Sequence, residues 1–308
     1  MKVFPISPRG YCHGVVSAIR EMRAIAKDQS LPKPITVLGM VVHNKKIVQD
    51  FEELGLKTLH NPHKTRLELL DEIDEGTVVF TAHGVSEQVY RKAEEKGLTI
   101  IDTTCKDVKT SQKTIKSHLE LGYAVLFIGK RTHPESETAQ SYGDDVHIVE
   151  TPDDVKNIRT KKDKLSLTNQ TTMRLFDIYT ITEKIKTRFP DVKIIEEICD
   201  ATKARQKAIM EQPSVDHCFV VGDPRSNNSK KLVSVAEEQG INASLIESVE
   251  DLDVDHLKTL TRVSITSGAS TPTQITKEVV EFLKAFDPSD ETTHRNESAV
   301  KKNNLFRR

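Results

Sequence analysis

Tryptophan is absent, and aromatic residues fill only 5% of the 308 positions, so the chain has little material for large stacking surfaces. Neither charge sign dominates: 45 Lys plus Arg face 46 Asp plus Glu. A dedicated nucleic-acid binder shows a basic excess or stripe, and that class is set aside. No apolar stretch approaches the roughly 18–20 residues that cross a bilayer. The N-terminus, MKVFPISPRGYC, lacks the apolar core of a signal peptide. These absences predict a cytoplasmic protein with no membrane and no nucleic-acid partner. G-x-G-x-x-G and G-x-x-x-x-G-K-[ST] runs are also missing, so dinucleotide and P-loop nucleotide chemistry lack their signals. Apolar residues, at 36%, still suffice for packed cores in a chain this long.

Cysteine is scarce but ordered. Cys12, Cys105 and Cys199 lie 93 and 94 residues apart, while Cys218 sits inside the apolar run HCFVV. Cys218 reads as a small buried hydrophobe. Each of the others follows a strand-like run (KVFPI, LTIID, KIIEEI) and precedes a helical pattern starting near Val15, Asp107 or Lys203. Two more loop types recur in the same order. VLGMVVHN, FIGKRTHPE and VVGDPRSNNS leave strands through Gly39, Gly129 and Gly222. VVFTAHGVS, LSLTNQTT and VSITSGASTP end strands in small polar residues, the last before a helix over Thr273–Ala285.

Alternating strand and helix signals predict parallel sheets. The predicted fold is α/β: three pseudo-symmetric lobes with mostly parallel sheets around a central site. Lobe 1 covers 13–105, lobe 2 covers 106–199 and lobe 3 covers 200–286, with the N-terminal strand 1–12 joining lobe 3. Residues 287–308 are polar and aperiodic, which predicts a disordered tail. Ligands of such sheets bind beyond the carboxyl ends of strands, where all nine polar loops fall.

Three matched cysteines allow three readings: unrelated buried thiols, a zinc site, or an iron–sulfur cluster. Structural zinc usually uses close cysteine pairs, and C-x-x-C does not occur. A cubane cluster is normally saturated by four thiolates, so three would leave one iron open to a substrate oxygen.

The other loop tips carry His43 with Asn44, His83, His133 with Glu135, Thr171, Ser226 with Asn227 and Asn228, and Ser270. They are polar yet nearly uncharged: no Lys or Arg sits in the tips themselves, although Arg131 and Arg225 are close by. Pro134 and Pro272 suit first helical positions, and Ser86 suits an N-cap. Helix starts, hydroxyls, amides and imidazoles together favour a compact anion such as a diphosphate. Singly, each residue reads as an ordinary cap or surface group; their shared place on repeated strand ends is what favours function.

At PRGYCHGV, VVHN, TAHGVS, DTTC, HPES, NQTT, ICDATKARQ, SNNS and SGAS the sequence resembles the 4-hydroxy-3-methylbut-2-enyl diphosphate reductase (LytB/IspH) family, from Met1 to about Ala285. The resemblance implies that Cys12, Cys105 and Cys199 ligate one [4Fe-4S] cluster with one open iron. It implies that His43, His83, Ser226, Asn228 and Ser270 hold the diphosphate. His133 would stand near the substrate, Glu135 would deliver a proton, and Thr171 would be its hydroxyl neighbour. Some members have Ser-Ser-Asn where this chain has Ser226-Asn227-Asn228, so Asn227 is a substrate contact of different reach. The implied reaction is a two-electron reductive dehydroxylation giving isopentenyl and dimethylallyl diphosphates, the last step of the non-mevalonate isoprenoid pathway. The implied electron donor is a ferredoxin- or flavodoxin-type protein. A quinolinate synthase-like enzyme and a non-enzymatic iron–sulfur sensor are the competing readings; VVHN, HPE and SGAS favour the reductase.

Overall fold

The computed structural model describes residues 1–195 and 198–306. Strand β1 (Lys2–Pro5) opens the chain, and helix α1 (His13–Lys27) follows Cys12. The first repeat adds β2 (Ile35–Leu38), α2 (Lys45–Glu52), β3 (Lys57–Leu59), α3 (Arg66–Leu70), β4 (Thr77–Phe80), α4 (Glu87–Glu95) and β5 (Thr99–Asp102). The second adds α5 (Lys106–Glu120), β6 (Ala124–Ile128), α6 (Pro134–Gln140), β7 (Val146–Val149), β8 (Leu165–Asn169), α7 (Leu175–Arg188) and β9 (Lys193–Ile194). The third adds α8 (Asp200–Met210), β10 (His217–Val221), α9 (Asn227–Glu238), β11 (Asn242–Ile246), α10 (Val254–Leu257), β12 (Arg262–Ser267) and α11 (Thr273–Ala285).

The strands form three four-stranded sheets, ordered β3-β2-β4-β5, β7-β6-β8-β9 and β11-β10-β12-β1. Every described pairing is parallel. Counted by place within its repeat, each sheet has the same order: second, first, third, fourth. In the third sheet the fourth place is taken by β1, whose Lys2 and Pro5 stand opposite Arg262 and Ile265 of β12. The architecture is therefore three parallel-sheet α/β lobes.

By compactness the chain divides into two units. One comprises Met1–Val16, Val42–Leu54 and Asp200–Arg308 and contains the third sheet. The other comprises Ser17–Val41 and Gly55–Cys199 and contains the first two. Central strands are covered on both faces, which is why they read as unbroken apolar runs. In β6, Ala124, Leu126 and Ile128 enter one core and Val125 and Phe127 the other. In β10, Phe219 and Val221 face one core while Cys218 and Val220 face the other. Cys218 is fully buried, and burial pushes its thiol up. Fully burying one such aliphatic or aromatic side chain is worth roughly 1.5–3 kcal/mol.

The helices start slightly earlier than the patterns suggest: His13, Lys106 and Asp200, each directly after a cysteine. Helix α11 spans the predicted Thr273–Ala285, but Pro272 is its N-cap and not its first residue. Pro134 does open α6, and Ser86 caps α4 by accepting from Val89 N–H. Glu196 and Glu197 of the KIIEEI strand, like Arg307 and Arg308 of the tail, lie outside the described residues.

By compactness Val42–Leu54, with α2, groups with the unit that holds the third sheet. The described part of the tail is packed. Ser298 is fully buried, and Phe306 is buried with its ring stacked on Phe51 at 4.5 Å. One aromatic anchor and a few backbone hydrogen bonds hold it, and neither leaves a periodic trace. No helix among the described residues is long and apolar enough to cross a membrane.

The glycines that leave the first strand of each repeat mark close approaches. A Cβ on Gly222 would lie 2.3 Å from Ser229 Oγ and 2.7 Å from its Cβ, and one on Gly129 would lie 2.7 Å from Ser136 Oγ. Ser229 and Ser136 are fully buried on the opening turns of α9 and α6 and have nowhere to retreat. Gly222→Ala should therefore destabilise the fold by about 1–3 kcal/mol, the range for overpacking. Thermal denaturation checks this; an unchanged melting temperature would show that the helix start can shift.

Candidate active site

The carboxyl ends of the strands interlock by the same backbone bonds in every repeat. Gly39, Gly129 and Gly222 donate N–H to the last residue of the neighbouring second strand, Leu59, Val149 and Ile246, at 2.7, 3.1 and 2.8 Å. Cys12, Cys105 and Cys199 donate N–H to Ala269, Ala82 and Thr171 in the loops after the third strands, at 3.0, 3.0 and 3.2 Å. Each of these cysteines thus occupies one structural position: the loop after a fourth strand, directly before a helix. All three are partly exposed and free of disulfides, whereas Cys218 is buried. Soft thiol donors at helix starts suit an anionic iron–sulfur group, because free N–H groups and the helix dipole face negative charge there. The buried Arg205 braces one of these loops by donating to Gly10 O at 2.6 Å.

Four of the expected site residues form one cluster in the unit with the first two sheets. His133 caps α6, and its Nδ1 accepts the Glu135 N–H at 3.2 Å. That bond leaves Nδ1 unprotonated and puts the proton of a neutral ring on Nε2. The 3.9 Å approach of Nδ1 to Glu135 Oε1 is therefore not an ion pair. Glu135 is buried, and Thr171 grips its carboxylate twice, by N–H and by hydroxyl, each at 2.9 Å. The His83 ring meets the His133 ring edge-on at 5.7 Å, and its Nδ1 lies 3.3 Å from Thr81 Oγ1. A carboxyl joined to a hydroxyl is a proton path, because a hydroxyl both donates and accepts.

The remaining residues lie in the other unit. Ser270, itself buried, donates its hydroxyl to His43 O at 3.1 Å. Asn44 caps α2 by accepting from Ile47 N–H, and Lys45 N–H donates to Asp223 Oδ2 at 2.7 Å. Asp223 in turn takes two side-chain bonds from Arg225, at 2.9 and 2.6 Å. Ser226 follows as the N-cap of α9, then Asn227, half-buried, and Asn228, buried with its Nδ2 lacking a hydrogen-bond partner among the described residues. A buried amide donor without a partner is costly unless a ligand takes it. The helix start and this amide together suit an anion.

The two arginines near the tips are engaged elsewhere: Arg131 pairs with Asp154 at 3.0 Å and Arg225 with Asp223. The donors left at the tips are amides, hydroxyls and imidazoles. Asp223, Arg205 and Thr81 were not singled out from sequence, although GDPRSNNS, ICDATKARQ and FTAHG contain them. Their signal was an acid or base of fixed place inside a polar motif.

These features define an α/β enzyme built on a threefold-repeated parallel sheet, with a thiol in the loop between each fourth strand and the helix that follows. The chain matches the LytB protein family over residues 3–284 and belongs to it. It is 48% identical over 303 residues to 4-hydroxy-3-methylbut-2-enyl diphosphate reductase of Geobacillus thermodenitrificans (strain NG80-2), covering 97% of this chain and 95% of that one. It is 49% identical over 303 residues to the enzyme of that name from Bacillus subtilis (strain 168), covering 97% and 96%. The solved E-1-hydroxy-2-methyl-but-2-enyl-4-diphosphate reductase of Plasmodium falciparum superposes with a TM-score of 0.83 at 30% identity, over 94% of this chain and 89% of that one. LytB proteins are iron–sulfur oxidoreductases.

Burial alone would push the Asp223 carboxyl up, but hydrogen bonds from Arg225 and Lys45 N–H outweigh it and hold the carboxyl below its ordinary range. A lowered folded pKa stabilises the fold above the unfolded value and loses that contribution as pH falls through the folded one. The melting temperature of Asp223→Asn should therefore fall below that of the parent at neutral pH, and the gap should close in acid. A gap constant with pH would mean the carboxylate charge is irrelevant.

Proposed function

We propose that the chain is a 4-hydroxy-3-methylbut-2-enyl diphosphate reductase, working in the cytoplasm and fed electrons by a ferredoxin- or flavodoxin-type protein. Two electrons and two protons convert the allylic alcohol to isopentenyl and dimethylallyl diphosphates, with the hydroxyl oxygen leaving as water. Family membership and the Glu135–Thr171 pair beside His133 and His83 support the reading, the pair being the observation that carries it. The LytB match and the reductase names of its relatives favour this over a quinolinate synthase-like activity.

Cys12, Cys105 and Cys199 would hold a [4Fe-4S] cluster that leaves one iron without a protein ligand. When bound, it supplies the electrons and a Lewis-acidic position for the leaving oxygen. The chain's own residues do the rest. His43, His83, Ser226, Asn227, Asn228 and Ser270 bind the diphosphate by neutral or charge-assisted hydrogen bonds, each worth about 0.5–3 kcal/mol. His133 offers its Nε2–H toward the substrate. Glu135 delivers a proton and recovers it through the Thr171 hydroxyl, which can reverse its bond as the carboxyl loads and unloads.

The test is anaerobic turnover of the allylic alcohol diphosphate with a reduced donor. Absence of product formation with a fully loaded cluster would sink the proposal. Cys12→Ser, Cys105→Ser and Cys199→Ser should each lose most bound iron and activity, while Cys218→Ser keeps both. Equal iron loss in all four would remove the distinction between ligating and structural thiols.

Glu135→Gln keeps the shape of the side chain but cannot carry a proton. General acid–base groups contribute about 10²–10⁴-fold, so kcat should fall at least about a hundredfold with substrate binding retained. Thr171→Ala should show a comparable fall if the two share one path. A change in KM alone would mean that Glu135 only positions the substrate.

A further inference from the structure

Helix α2 begins two residues after His43 and is too short to stand alone. It has eight residues, against the roughly 12–15 that an isolated helix needs in water. Its front end is held by Asn44 and by Asp223. Its far end is held by the C-terminal segment. Phe306 stacks on Phe51 with ring centroids 4.5 Å apart and an interplanar angle of 18°. Both rings are buried, at 6% and 1% exposure, although only two residues follow Phe306 in the sequence.

The polar contacts are equally specific. Asn304 Nδ2 donates to the Asp50 carbonyl at 2.8 Å, taking up a carbonyl of the last helical turn, where intrahelical donors run out. Leu305 N–H donates to Asp50 Oδ2 at 3.1 Å. The Asp50 carboxylate is fully buried, and its other oxygen is paired with Lys46. A buried carboxylate needs such donors, so the tail completes the set on which α2 depends. Further back, the segment is fixed where Ser298 Oγ donates to Glu278 at 2.6 Å and Val300 N–H to the same carboxylate at 3.2 Å.

We infer that the C-terminal segment is a strap whose Asn304–Phe306 end clamps α2 and thereby positions His43 for the substrate diphosphate. The inference rests on the diphosphate-binding assignment of His43 made above. Phe306 is a positioning residue that touches no substrate. The strap acts on the far end of α2, while Ser270 and Asp223 steady the near end.

The experiment compares the cluster-loaded full chain with Phe306→Ala, Phe306→Tyr, His43→Ala and the double variant His43→Ala/Phe306→Ala. Phe306→Ala should raise KM for the allylic diphosphate roughly 5- to 30-fold, the factor that losing a modest contact brings, with kcat and bound iron unchanged. Hydrogen exchange at the α2 amides should speed up in the same variant. Phe306→Tyr retains the stacked ring and should restore both readouts. In the His43→Ala background, Phe306→Ala should add nothing to KM, because coupled residues are not additive. A full additional rise there would make the strap a general support and overturn the inference. Unchanged KM and α2 exchange in Phe306→Ala, with KM raised in His43→Ala, would overturn it while leaving the His43 assignment intact. Unchanged KM in His43→Ala would overturn both.

Discussion

Cys12, Cys105 and Cys199 each give the backbone N–H to a carbonyl in the loop beside them, and much of the local architecture follows from that bond. In a parallel sheet the carboxyl ends of neighbouring strands finish at one level, so their outgoing loops are adjacent without a turn to separate them. The bond ties the end of the fourth strand to the end of the third. The thiol is left at the mouth of a helix, half in solvent, and its backbone cannot drift. The same solution appears at Cys12, Cys105 and Cys199 although no other residue is shared by the three loops at that bond: the acceptors are Ala269, Ala82 and Thr171. Because the bond is backbone to backbone, it survives any change of side chain, and the three repeats diverged around it.

The side chains divide the chemical work by charge. At the loop before α9 the guanidinium of Arg225 is bound to Asp223, and the Asp223 carboxylate in turn orients the start of α2. A fixed cation is thus spent on architecture, and a substrate would be met by hydroxyls, amides and imidazoles. The one buried acid in the histidine cluster, Glu135, is surrounded by groups that can give or take a proton: the Thr171 hydroxyl, His133 and, beyond it, His83.

Length of contact in sequence does not predict importance here. Asp50 and Leu305 are 255 residues apart, yet together they complete the burial of one carboxylate. The tail supplies donors that α2 cannot find within its own eight residues, and an aromatic ring that stacks on Phe51.

The repeat, the parallel α/β class, the glycine turns and the matched places of three cysteines before helices were all legible in the chain. They depend on local rules: apolar runs make buried strands, glycine permits close approach, and equal spacing brings equal positions. The helix over Thr273–Ala285 was read to the residue for the same reason. What sequence left open depends on partners distant along the chain. Nothing local in NNLF announces that Asn304 will cap α2, and nothing in VVHN says that α2 will group with the third sheet. Polar, aperiodic residues look disordered until a single ring finds a pocket. Likewise, a buried Glu135 gripped by Thr171 and an unsatisfied Asn228 are properties of packing, because burial and hydrogen-bond satisfaction exist only once the lobes have folded.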